Sequence, residues 1–388
     1  MWEFTSPKKI VFGEEALEYL KEIEGKKALV ITGKTVRKLG FAEKVSKYLE
    51  EARIQAEIFD EVEPEPSIET IVEGAKLARD YNPDWLIGLG GGSNMDAAKA
   101  IWALYERPDI EVGAISPVEK LGLRKKAHLI CIPTTSGSGS EATWATIITD
   151  SSSKTKLELA SKELVPDIVI LDPQLPKSMP PRLTADTGMD ALVHSMEAYV
   201  NQWRNDFSDA MAIKAIKIIF EYLPRAYENP DDIEAREKMH IAATMSGLAF
   251  GNAQAGIAHS MGHALGATFK IPHGRTVGML LPYVIKYSAK EAAGRYAEIA
   301  RAIGIEAVTD EECVEELAQA VRALMKKVDL PLCAKDMGLD WETFTGELDE
   351  LVSRAIVSSE SITNPRVPDE EECKKLFTCA FNGEEVDF

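Results

Sequence analysis

Residues 172–181 of this chain read DPQLPKSMPP, four prolines in ten positions with no hydrophobic period. Proline can neither continue a helix nor donate to a sheet ladder, so the stretch is a boundary. The hydrophobic pattern differs on its two sides. Before it, short apolar runs at 26–33, 55–62, 84–89, 128–132 and 168–171 read as buried strands. Amphipathic stretches at 36–52, 68–80 and 94–104 read as helices between them, with Ser67 placed to cap the second. Strands alternating with helices predict a mainly parallel sheet covered on both faces. After the boundary the pattern is helical near 184–202, 207–227, 231–250, 253–266, 274–288, 289–302, 310–328, 342–357 and 368–380. The expectation is an α/β domain over 1–178 and an all-helical domain over 179–388. The segment WEFTSPKKIVFG at 2–13 is expected to be a strand pairing across a subunit contact.

A net charge of −19 argues against a nucleic-acid partner or an anionic membrane surface. No apolar run is long enough to span a bilayer, and the start lacks the pattern of a secretory signal. The five cysteines are odd in number and scattered, which favours free thiols in a reducing cytoplasm.

Two loops follow predicted strands. Gly90-Gly91-Gly92-Ser93 runs from a strand into a helix, where bare backbone and free N–H groups suit a diphosphate. It is not the GxGxxG fingerprint, and a tight turn is the plain alternative. The second loop, PTTSGSGSEAT at 133–143, offers hydroxyls for a phosphate, ribose or carboxamide; an ordinary surface loop is its alternative. Together they predict a dinucleotide crevice at strand ends.

The histidines are the other concentration of chemistry. Asp190 and His194 stand four apart, as do His259 and His263, so each pair shares a helix face. His273 follows a Lys-Ile-Pro break. His128 and His240 read as ordinary core or surface residues. One carboxylate with neutral imidazoles and no nearby cysteine suits ferrous iron, with zinc as the alternative.

The motifs GGGSNMDAAK, PTTSGSGSEAT, TADTGMDALVHSMEAYV, HSMGHALG and IPHG, with the late Asn364-Pro365-Arg366, occur in one order along the chain. In that order they resemble the iron-dependent (group III) alcohol dehydrogenase family. The resemblance implies a nicotinamide-dinucleotide-binding α/β domain followed by a helical metal-binding domain, the dehydroquinate synthase-like fold. It implies Asp190, His194, His259 and His273 as the metal ligands and His263 as a proton relay. Gly91, Gly92 and Ser93 fall at the pyrophosphate turn, and Asp96 near the nicotinamide. Thr134, Thr135 and Ser138 fall on the second cofactor loop, Lys156 at a later cofactor contact, and Phe250 in the substrate pocket, beside an apolar Trp144-Ala145. Where NAD-preferring members often carry an aspartate, this chain has Gly33, with Lys34 and Arg37 nearby. That departure predicts a preference for NADP(H). The implied reaction is hydride transfer between a small alcohol or aldehyde and NADP or NAD, in a homodimer. A glycerol or other diol dehydrogenase is the nearest alternative, and a dehydroquinate synthase-like lyase a distant one.

Overall fold

A computed structural model describes residues 3–153 and 155–388. Two compact units meet at Ser178 and Met179, and the second also takes in the described residues Glu3 and Phe4.

The first unit runs β1 (Lys9–Phe12), β2 (Lys27–Ile31), α1 (Lys34–Lys38), α2 (Phe41–Glu51), β3 (Gln55–Phe59), α3 (Ile68–Tyr81), β4 (Trp85–Gly90), α4 (Gly92–Glu106), β5 (His128–Pro133), β6 (Ala145–Asp150), β7 (Thr155–Ala160) and β8 (Ile168–Leu171). Six of the strands form one parallel sheet in the order β1-β8-β5-β4-β2-β3. Because side chains alternate along a strand, Ala28 and Val30 of β2 enter one core with Leu17 and Leu49. Leu29 and Ile31 enter another with Ile101 and Trp102. Ser67 caps α3 by accepting a bond from the Thr70 N–H.

The first unit departs from the sequence reading in places. The helix expected over 36–52 is two helices, broken at Leu39-Gly40, where Gly40 takes a left-handed conformation (φ 77°). Of the segment 2–13, residues 9–12 form a strand that pairs with β8 of the same chain at the edge of the sheet; Trp2 lies outside the described residues. The stretch after the hydroxyl-rich loop holds an unforeseen antiparallel hairpin, β6 on β7. Its Thr, Ile and Leu alternation is short and interrupted by serines, so it carries little periodic signal.

The second unit comprises α5 (Pro181–Val200), α6 (Asp206–Glu228), α7 (Ile233–Phe250), α8 (Ile257–Phe269), α9 (His273–Ala302), α10 (Asp310–Lys327), α11 (Trp341–Val357), α12 (Ser359–Ile362) and α13 (Glu370–Asn382). Residues 274–302, expected as two helices, form one with a kink at Ala292. Helix α5 packs on α6, α7, α8 and α9 and is buried almost end to end. Such a helix is normally apolar all round. This one buries Asp186, Asp190, His194 and Glu197, and those residues need partners.

Candidate active site

Helix α5 aims Asp190 and His194 from one face, four residues apart. Helix α8 brings His259, and α9 begins with His273. The approach of α9 depends on Gly274, where a Cβ would stand 2.1 Å from the Asp186 carbonyl oxygen of α5. The missing side chain lets the two backbones close, and this sets His273 against Asp190. Three imidazole nitrogens then surround one carboxylate oxygen. Asp190 Oδ1 lies 3.3 Å from His273 Nε2, 3.6 Å from His259 Nε2 and 3.7 Å from His194 Nδ1. Ligand atoms of Asp190, His259 and His273 all fall within 4.8 Å of one another. His194 stands beside this set, stacked on His259 with ring centroids 4.2 Å apart.

Asp190 Oδ1, His194 Nδ1 and His259 Nε2 are buried and have no hydrogen-bond partner. Buried polar atoms are normally paired, so three orphans facing one point fit a divalent cation. One oxygen and several imidazole nitrogens suit ferrous iron or zinc.

Burial alone would raise the Asp190 carboxyl, but the imidazoles around it hold it well below its ordinary value. Burial pushes His194 down to about 3, which leaves its ring neutral and able to ligate. Burial also opposes a charge on His259, yet Glu197 and Asp190 together outweigh it and lift that ring to about 10. Glu197 was missed in the sequence. It lies seven residues beyond Asp190 on the same face of α5, and that spacing was the available signal. Its carboxylate is 2.5 Å from His259 Nδ1 and accepts the N–H groups of Gly256 (2.8 Å) and Ala258 (2.6 Å). A carboxylate only accepts, so Nδ1 must donate and Nε2 is the nitrogen turned toward Asp190.

His263 is not part of the metal triad. It is half-buried, stacks on His273 at 4.7 Å, and sets Nδ1 3.4 Å from Glu360 Oε2 on α12. Glu360 also escaped the sequence reading, since nothing local marks it. Burial favours its neutral form, but His263 opposes this and holds Glu360 at about 2. Phe250, the last residue of α7, stacks on His194 with centroids 4.0 Å apart and planes 12° from parallel.

In the first unit, Gly33, the Gly90–Ser93 turn and the loop at 133–143 leave the carboxyl ends of β2, β4 and β5, neighbouring strands of the sheet. Such strand ends are where open α/β sheets bind ligands. The two loops touch, the Thr134 N–H donating to the Gly90 carbonyl at 2.9 Å. Gly91, Gly92, Ser93, Thr135 and Ser138 are partly exposed, and Thr134 is buried. Ser93 Oγ accepts the Glu65 N–H, and Ser138 Oγ the Ser140 N–H.

Other expected cofactor residues have protein partners. Asp96 accepts Ser140 Oγ (2.5 Å) and the Ile147 N–H (3.0 Å). Lys156 pairs with Glu65 at 2.6 Å. Ala145 is exposed, and its carbonyl accepts Lys99 Nζ. Lys34 pairs with Asp60 and Glu61, and Arg37 with Glu43 and Asp60. Gly33 has a steric reason of its own: a Cβ there would meet the Val62 carbonyl oxygen at 2.6 Å.

The description "Iron-containing alcohol dehydrogenase" matches residues 7–173, and "Fe-containing alcohol dehydrogenase family, C-terminal" matches 184–381. The chain therefore belongs to the iron-containing alcohol dehydrogenase family and is an oxidoreductase. It is 44% identical over 390 residues to an NADPH-dependent butanol dehydrogenase of Clostridium saccharobutylicum, and the match covers all of both chains. It is 39% identical to aldehyde-alcohol dehydrogenase 2 of Entamoeba histolytica across 97% of its own length. There the chain spans about half the relative, 46%. Among solved structures, a 1,3-propanediol oxidoreductase superposes with a TM-score of 0.93 at 32% identity, covering 98% of this chain and 100% of that one. No helix among the described residues is long and apolar enough to cross a membrane.

Proposed function

We propose that this protein is a metal-dependent alcohol dehydrogenase that interconverts small alcohols and aldehydes, prefers NADP(H), and carries Fe²⁺ in preference to Zn²⁺. The observation that carries the reading is the Asp190 carboxylate faced by three imidazole nitrogens, with partnerless buried atoms at their meeting point. Asp190, His194, His259 and His273 hold the ion. Bound there, it supplies Lewis-acid polarisation of the alcohol or carbonyl oxygen.

The chain's own residues do the rest. Glu197 locks the His259 ring. His263 takes the proton leaving the alcohol and returns it in the reverse direction. Its Glu360 partner favours the charged imidazolium and its partial exposure gives the proton an exit. Phe250 walls the substrate site and holds His194 flat. Gly33, Gly91, Gly92, Ser93, Thr134, Thr135 and Ser138 cradle the dinucleotide, with Asp96 and Lys156 at its margins.

NADP(H) preference rests on the missing carboxylate at position 33 and on the butanol dehydrogenase relative named as NADPH-dependent. A 2′-phosphate would have to draw Lys34 or Arg37 from its present acidic partners. A diol substrate is the second reading, supported by the likeness to a 1,3-propanediol oxidoreductase. The higher identity to the butanol enzyme favours the monohydric alcohol. A homodimer in the cytoplasm completes the proposal.

The test is to strip the protein of metal and refill it separately with iron, zinc, manganese and nickel. Oxidation of NADPH and of NADH is then followed with butanal, other simple aldehydes and 3-hydroxypropanal. Butanal turnover restored best by iron, with NADPH ahead of NADH in kcat/KM, is the expected result. NADH ahead refutes the cofactor preference, and no turnover in any refilled form refutes the reaction.

A further inference from the structure

Lys99 is fully buried inside the first unit. An ammonium so placed normally has a carboxylate against it, because an uncompensated buried charge is costly. Asp96 Oδ1, one helical turn back, is 3.9 Å from Nζ, too far for a hydrogen bond. The ammonium points instead into the segment that follows β5. Nζ donates to Ser140 Oγ at 3.0 Å, Thr143 Oγ1 at 3.2 Å and the Ala145 carbonyl at 2.8 Å. A lysine has three hydrogens to give, and all three are spent on this one stretch.

Asp96 works on the same stretch. It accepts Ser140 Oγ on one oxygen and the Ile147 N–H on the other, while its main-chain carbonyl accepts Thr146 Oγ1. The Ser140 hydroxyl is thereby polarised in one sense, giving its hydrogen to Asp96 and its lone pair to Lys99. Both anchors stand on α4, the helix that opens with the glycine turn. At a rise of about 1.5 Å per residue, Lys99 sits roughly 9 Å along the helix from Ser93. The serine- and glycine-rich loop makes few main-chain bonds of its own: Thr134 to Gly90 at one end, and two turn bonds at Gly139–Thr143.

We propose that Lys99, seconded by Asp96, is the positioning residue for dinucleotide binding. It ties the hydroxyl-rich loop to the helix of the glycine turn, so that both loops meet the cofactor already in register. The inference rests on the cofactor reading above. Burial lowers the pKa of Lys99 and raises that of Asp96, each opposed by the other's charge, consistent with a pair kept for what it holds in place. Preorganising a loop lowers the cost of ordering it when ligand binds, so the effect belongs in cofactor affinity and not in the chemical step.

The experiment is fluorescence titration of NADPH binding to wild-type protein and to Lys99→Met, which keeps the side-chain length and removes the charge. Thermal melting, metal content and steady-state kinetics accompany it. The expected result is a Kd for NADPH raised about tenfold or more, with kcat at saturating NADPH within about threefold of wild type and metal content unchanged. Unchanged NADPH affinity in a folded Lys99→Met protein, even with a lower Tm, makes the lysine merely structural and overturns the inference. Should Lys99→Met not fold, Ser140→Ala and Thr143→Val each remove one ammonium acceptor and are expected to raise Kd by about three- to tenfold. Wild-type affinity in both overturns the inference equally. If wild-type protein itself binds neither NADPH nor NADH, it is the cofactor reading that fails.

Discussion

The two units treat their buried polar groups in opposite ways. Around Asp190, side chains from α5, α8 and α9 converge with donors and acceptors that do not satisfy one another. Around Lys99, each hydrogen of the ammonium and both oxygens of Asp96 have a protein partner. The first arrangement is incomplete without a cation, and the second is complete as it stands. Burial of polar residues alone therefore does not mark a binding centre. The informative sign is burial together with missing partners, while full satisfaction marks the scaffold that aims the loops.

The sharpest way to break this contrast is to remove a side chain whose atom facing the cluster's centre lacks a partner. Replacing His259 or Asp190 with Ala is expected to abolish metal retention, measured by elemental analysis. It should cut kcat/KM on the order of 10³-fold or more, because the electrostatic stabilisation goes with the ion. Because His259→Ala also strips the buried Glu197 of its 2.5 Å partner, metal retention and not Tm is the deciding readout. Metal retained at the wild-type level in either variant would show that the cluster is not a metal site.

His263→Ala is expected to lower kcat by about 10²-fold or more, as for loss of a general acid–base, with metal content near wild type. Loss of metal in that variant would place His263 among the ligands. Glu197→Gln keeps the size of the side chain but removes the charge that orients His259. It is expected to weaken metal binding by about 10- to 100-fold in chelator competition. Wild-type metal affinity in this variant would make the 2.5 Å contact incidental.

The smallest expected effect lies in the satisfied unit. Asp167 accepts Lys8 Nζ at 2.6 Å, Arg124 Nε at 2.9 Å and the Leu129 N–H at 3.1 Å. Burial alone would raise its carboxyl, but these partners outweigh it and hold it below the ordinary value. Because the folded-state pKa is depressed, the stabilisation is fully present above the unfolded value of about 3.9 and fades as pH falls through the folded one. Asp167→Asn is expected to cost about 1–3 kcal/mol near neutral pH and to flatten the acid limb of a Tm-against-pH curve. An unchanged acid limb would mean that the carboxylate contributes nothing to folding.

Much of this was legible in the chain. A continuous β-prone run ending in glycine marked β2, and Ser67 marked the start of α3, because both signals are local. The Asp190–His194 and His259–His263 spacings put each pair on a helix face by the same local rule. The rule could not say which histidine of the second pair meets Asp190, since residues one turn apart share a face equally well. Glu197, Glu360 and Lys99 went unread because their partners are remote in sequence, and the β6–β7 hairpin because its alternation is short.

By itself the sequence determined the class of each half, the family and the residues able to grip an ion or line a phosphate loop, since periodicity and residue chemistry act at short range. Only the tertiary structure showed how His259 and His273, which the family resemblance names as ligands, are brought against Asp190. It also decided that Glu197 fixes the ring of one and that Lys99 ties two loops together. Those outcomes depend on how closely separate helices approach, as at Gly274 against Asp186, and no single stretch of chain encodes that distance.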